Sequence, residues 1–74
     1  MTGVRVLDAV ALGRMVRERR RELGHTQEEI ADLCGVHRVS IAKLERGGSL
    51  KFEIVLRVVH MLGMNIEVST RGTR

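Results

Sequence analysis

No proline occurs in the 74 residues of this chain, and glycines at 24, 35, 47, 48 and 63 cut it into stretches of helical length. Glycine ends helices in the left-handed conformation, so this punctuation predicts a compact all-helical fold. A first helix is expected from an Asp8 N-cap to Leu23, with Leu12, Val16 and Leu23 as its apolar stripe and Arg20 on that same stripe. The second begins at a capping box, in which Thr26 caps and Glu29 reaches back; Ile30, Ala31 and Cys34 make its inner face. After Gly35 and Val36, a third helix runs from about His37 to Glu45 with Ile41 and Leu44 turned inward. The fourth covers roughly Lys51 to Leu62, with Phe52, Val55, Leu56, Val59 and Leu62 at helical spacing and Gly63 as its stop.

The closing "MNIEVST" behaves differently. Met64, Ile66 and Val68 alternate with Asn65, Glu67 and Ser69, a period of two that reads as a strand. The chain offers it no partner beyond a short "VRVL" near the N-terminus. A lone strand leaves its amides and carbonyls unpaired. Pairing of two copies about a two-fold axis is the economical solution, with pairing to the N-terminal stretch or a frayed tail as alternatives. A chain of this length buries too little surface for ample stability. Cys34 is its one cysteine and cannot crosslink within the chain, which fits a reducing cytosol and leaves oligomerisation as the usual remedy.

A formal net charge of +4 and a pI near 10.6 predict attraction to polyanions, nucleic acid or an anionic membrane surface. No apolar run approaches the ~20 residues of a membrane span, and no secretory leader opens the chain. The expectation is a soluble cytoplasmic protein without a membrane partner. Metal binding is not expected, because His25, Cys34, His37 and His60 lack the paired spacings of a zinc site. Nor is an enzyme or a cofactor expected: no nucleophile stands beside a base, Glu28-Glu29 reads as capping and solvation, and no phosphate loop occurs.

Two helices joined by a glycine turn make a helix-turn-helix, and its steric demands are met over residues 27–46. Ile30 packs inward, Ala31 is small where the third helix crosses, Gly35 turns the chain and Val36 plugs the corner. "TQEEIADLCGV" followed by "SIAKLERG" resembles the Xre/Cro-type helix-turn-helix repressors over about residues 8–63. "LGMNIEVS" resembles the HipB-type antitoxins more narrowly. The resemblance implies a four-helix, lambda-repressor-like DNA-binding domain over residues 8–63 and a dimerisation strand over residues 64–70, carried by Met64, Ile66 and Val68. It also implies a nucleoid-associated homodimer on a double-stranded, pseudo-palindromic operator upstream of its own gene, with a HipA-type kinase toxin as protein partner. The sequence reaches Arg74, short of the longer tail some of these antitoxins carry, and the resemblance does not extend to tail-dependent functions. Two alternatives stay open: a free-standing repressor without a toxin, and a protein-interaction module that has lost DNA binding.

The resemblance places Arg38, Val39 and Lys43 at base edges. Arg38 has the chemistry to fork onto guanine O6 and N7, Lys43 to donate to the same acceptors, and Val39 to touch a thymine methyl. Gln27 matches a position that meets a phosphate, helped by the partial positive charge of a helix N-terminus. His37, Ser40 and Arg46 are further phosphate candidates, with helix capping as the other reading of His37. In the run "RMVRERRR", Arg14, Arg17 and Arg21 read as a solvated face. Arg20 points inward and needs a carboxylate, since an unpaired buried charge costs several kcal/mol. Glu45 is the expected partner, and the resemblance implies a structural Arg20–Glu45 pair.

Overall fold

The computed structural model describes residue 6 and residues 8–70. Among these, four α-helices follow one another: α1 (Ala9–Glu22), α2 (Gln27–Cys34), α3 (Arg38–Glu45) and α4 (Phe52–Met61). The starts of α1 and α2 are capped by side chains. The Asp8 carboxylate accepts from the Ala11 amide at 2.8 Å. At α2 the capping box is complete, with Thr26 Oγ1 accepting from the Glu29 amide at 3.0 Å and Glu29 Oε1 from the Thr26 amide at 2.8 Å. These bonds satisfy amide groups that a helix start leaves without partners.

The turn between α2 and α3 is equally specific. Gly35 sits at φ 71°, a conformation that costs a side-chain-bearing residue energy, and the Val36 amide returns to the Ala31 carbonyl at 2.9 Å. α1, α3 and α4 end in the same hydrogen-bonded pattern, closed by Gly24, Gly47 and Gly63. α3 then packs against both α1 and α2, while α4 packs against α2.

The core comprises Val16, Ile30, Ala31, Cys34, Ile41, Leu44, Val55, Val58, Val59 and Leu62. Full burial of each larger aliphatic contributes roughly 1.5–3 kcal/mol before chain entropy is subtracted. Four residues depart from the sequence reading. Leu23 is 42% exposed and Phe52 64% exposed, because each lies at a helix end where the chain turns off the core. Leu56 is only half-buried, and Val58, one step round the helix from the expected stripe, is fully enclosed.

Residues 64–70 leave α4 and form no strand among the described residues. A strand needs a second one to complete its ladder, and the described residues contain none. Met64 packs partly against its own core, whereas Val68 is almost fully exposed and Ile66 borders solvent. Most of the N-terminal "VRVL" stretch lies outside the described residues.

Candidate nucleic-acid interface

α3 turns Ile41 and Leu44 into the core. At about 100° per residue, the opposite half of the helix must then carry Arg38, Ala42, Arg46, Val39 and Lys43 in angular order. Arg38, Val39, Lys43 and Arg46 are exposed, with Arg38 and Lys43 on the flanks of one face and Val39 and Arg46 between them. His37 is the N-cap of α3 by position and is exposed, but its side chain makes no capping bond. Ser40 is half-buried at the edge of the inward side. Lys43 is steered by its neighbour Gly48: a Cβ there would lie 2.5 Å from Lys43 Cγ, so the bare glycine gives the lysine stem its path.

Behind this face lies a polar cluster. Arg20 Nε donates to Glu45 Oε2 at 2.7 Å and Nη2 to Oε1 at 3.0 Å, a two-pronged bond between side chains 12% and 3% exposed. Arg20 Nη1 also donates to the His25 carbonyl at 2.9 Å, so the pair ties α1 to α3 and to the start of α2. Gln27 Nε2 donates to Glu45 Oε1 at 3.1 Å, and Gln27 Oε1 accepts from Arg38 Nη1 at 3.1 Å. The bonds therefore run Arg20, Glu45, Gln27, Arg38, from the interior to the outer face of α3.

Electrostatics follow from this arrangement. Burial pushes the Glu45 carboxyl pKa up, but hydrogen bonds from Arg20 and Gln27 and the charges of Arg20 and Arg17 outweigh it and hold the pKa below the ordinary range. The Glu45 hydrogen bond in turn raises the Arg20 pKa against the opposing effect of burial. Arg17, Arg20, Gln27, Arg38, Ala42, Glu45 and Arg46 line one concavity. Glu45 is its one carboxylate among four arginines, so the concavity favours anions.

Two arginines that the sequence reading assigned no partner serve the fold. Arg19 Nε donates to the Leu62 carbonyl at 2.9 Å, and Arg57 Nη1 to the Cys34 carbonyl at 2.8 Å. Each meets a carbonyl at a helix end, where backbone acceptors lack helical partners. Gly13 was also missed. It is buried in α1, and a Cβ there would collide with the Leu44 carbonyl oxygen and stand 2.8 Å from that of Glu45. An unbranched glycine inside a helix with good caps was the available signal.

Burial pushes the Cys34 thiol pKa up, with the Arg57 charge opposing, so the thiol stays protonated and acts as a small core residue. Among the described residues, no group of three or more His, Cys, Asp or Glu side chains is placed to hold a metal ion. No helix among them is long and apolar enough to cross a membrane.

Residues 16–68 match the family model described as helix-turn-helix. The chain is 54% identical over 33 residues to an uncharacterized HTH-type transcriptional regulator of Methanothermobacter thermautotrophicus, a match covering 45% of this chain and 48% of that protein. The chain thus aligns with about half the length of that relative. Among solved structures it is similar to the restriction-modification controller protein C.AhdI from Aeromonas hydrophila, with 30% identity, a TM-score of 0.71 and coverage of 78% of this chain and 86% of that one. Similar too is the clp gene regulator ClgR from C. glutamicum, with 30% identity, a TM-score of 0.74 and coverage of 88% and 85%. The HipB–O2 20mer complex shares the fold at a TM-score of 0.83 with 15% identity, over 96% of this chain and all of that one.

Proposed function

Given that the chain belongs to the Xre-type helix-turn-helix family, we propose that it is a sequence-specific DNA-binding regulator that represses transcription by occupying its operator. The observation that carries this reading is the outer face of α3. Arg38, Lys43 and Arg46 stand exposed around an apolar Val39 on a helix backed by a packed core. A major groove admits an α-helix and presents a distinct donor and acceptor pattern for each base pair. Arg38 and Lys43 suit guanine acceptors, and Val39, 66% exposed, suits a thymine methyl. His37 and Arg46, exposed at the rim, would meet phosphates, with Ser40 contributing from the edge, whereas the Gln27 amide is engaged by Glu45 and Arg38.

The domain proper would occupy residues 8–63 and a dimer clasp residues 64–70. Exposed Ile66 and Val68, alternating with polar residues, favour strand pairing with a second copy. Two recognition helices related by a two-fold axis would then meet half-sites about 34 Å apart on a pseudo-palindromic operator. The HipB-like tail supports a further step, an antitoxin that binds a HipA-type kinase toxin. Identities of 30% to C.AhdI and ClgR against 15% to HipB favour a second reading, a free-standing regulator without a toxin. Co-purification of a kinase from the native cell separates the two.

DNA binding itself is tested by titrating the DNA upstream of this gene at a series of salt concentrations. Log K is expected to fall linearly with log salt, with a slope of about −0.9 for each phosphate neutralised. No salt-sensitive binding to any duplex would instead support a protein-interaction module.

A further inference from the structure

We propose that Gln27 is a positioning residue that presets the Arg38 guanidinium for guanine, with the buried Glu45 carboxylate fixing which way the Gln27 amide points. This rests on the DNA-reading role of α3 proposed above. An amide has a donor end and an acceptor end, and in isolation the two are free to exchange by rotation. Here both neighbours demand the same orientation. Glu45, kept ionised by Arg20 and Gln27 despite its burial, only accepts, so the amide nitrogen must face it at 3.1 Å. Arg38 only donates, so the amide oxygen must face Arg38 Nη1, also at 3.1 Å. A flipped amide would set oxygen against carboxylate and NH2 against guanidinium, losing both bonds at once.

The consequence falls on Arg38, whose long side chain has many rotamers to lose on binding. Holding Nη1 from behind leaves Nε–H and an Nη2–H as a parallel pair of donors on the free edge of the planar group. Two parallel donors match the O6 and N7 acceptors of guanine, which no other base edge in the major groove duplicates. Arg20 and Glu45, which never reach the DNA, thereby contribute to which base is preferred.

The test uses the full chain and a set of operator duplexes in which each base pair of a half-site is changed in turn. Wild type and Arg38→Ala first identify the base pair read by Arg38, where loss of guanine is expected to weaken wild-type binding roughly 5- to 150-fold and to matter little to the variant. Gln27→Ala is then expected to lose most of that preference, and the double variant to be no less selective than Arg38→Ala alone. Gln27→Met, which keeps the length and packing of the side chain, should behave as Gln27→Ala does, while unfolding curves for both report any loss of fold. In free protein the Arg38 Nε–H NMR signal should move on either Gln27 substitution. A Gln27 variant that weakens every duplex alike, additively with Arg38→Ala, would make Gln27 a phosphate contact and overturn the proposal. Retained guanine preference would overturn it too. Absence of any guanine preference in wild type would strike the DNA-reading role itself, and this inference with it.

Discussion

Arg20→Ala is expected to destabilise the domain by about 3–5 kcal/mol, the usual cost of leaving one half of a buried ion pair alone. In a domain of this size that corresponds to a drop in Tm on the order of tens of degrees. Arg21→Ala, one residue along on the exposed side of α1, should stay within about 0.5 kcal/mol. The difference arises because Glu45, only 3% exposed, has Arg20 as its two-pronged partner and would keep only the Gln27 amide. Arg20 also holds the His25 carbonyl, so the connection from α1 to α2 is lost in the same step. The pair carries a pH signature as well. The folded Glu45 pKa lies below its unfolded value, so its stabilisation is complete above roughly pH 4.5 and fades as pH falls through the folded value. Urea unfolding of the two variants across a pH series checks both points: the gap between wild type and Arg20→Ala should narrow in acid. Equal small losses for Arg20→Ala and Arg21→Ala would contradict the assignment.

Gly13→Val should be the other severe substitution. In an open helix, replacing glycine by alanine stabilises by about 1 kcal/mol. In α1 the sign is reversed, because the new Cβ meets the Leu44 and Glu45 carbonyl oxygens, which belong to backbone and cannot rotate aside as a side chain would. Overpacking of this kind costs about 1–3 kcal/mol, occasionally more, and the branched valine should exceed alanine. The end of α3 must move to relieve the clash, and Glu45 moves with it, so the polar cluster behind Arg38 is disturbed too. Thermal unfolding of Gly13→Ala and Gly13→Val reads the effect directly. An increase in Tm for Gly13→Ala would show that α1 and α3 approach less closely than described.

The parts of this fold that sequence reveals are those with local causes. The Thr26–Glu29 capping box, the Gly35 turn and the inward Ile30, Ala31, Ile41 and Leu44 follow from spacing and backbone preference alone. Arg20 announced itself because a charge on an apolar stripe requires a partner. What escaped depends on distant approach. Gly13 reads as a weak helix former until α3 is laid across it, and Leu23 and Phe52 continue apolar stripes beyond the point where the chain leaves the core. Arg19 and Arg57 carry no local sign of a partner, yet each meets a carbonyl at a helix end far along the chain. The bond between Gln27 and Arg38 escaped for a different reason: both residues had been assigned to DNA, one to phosphate and one to base. Strand pairing by residues 64–70 depends on a partner strand, and the described residues contain none.

The most direct measurement is the ratio of affinities for the upstream duplex and a scrambled duplex of equal length, at one salt concentration, for wild type, Arg38→Ala and Lys43→Ala. The outward face of α3 reads sequence if wild type prefers the upstream duplex and each variant loses roughly 5- to 150-fold of that preference while keeping weak binding to both. Undiminished preference in both variants, or none in wild type, would contradict it.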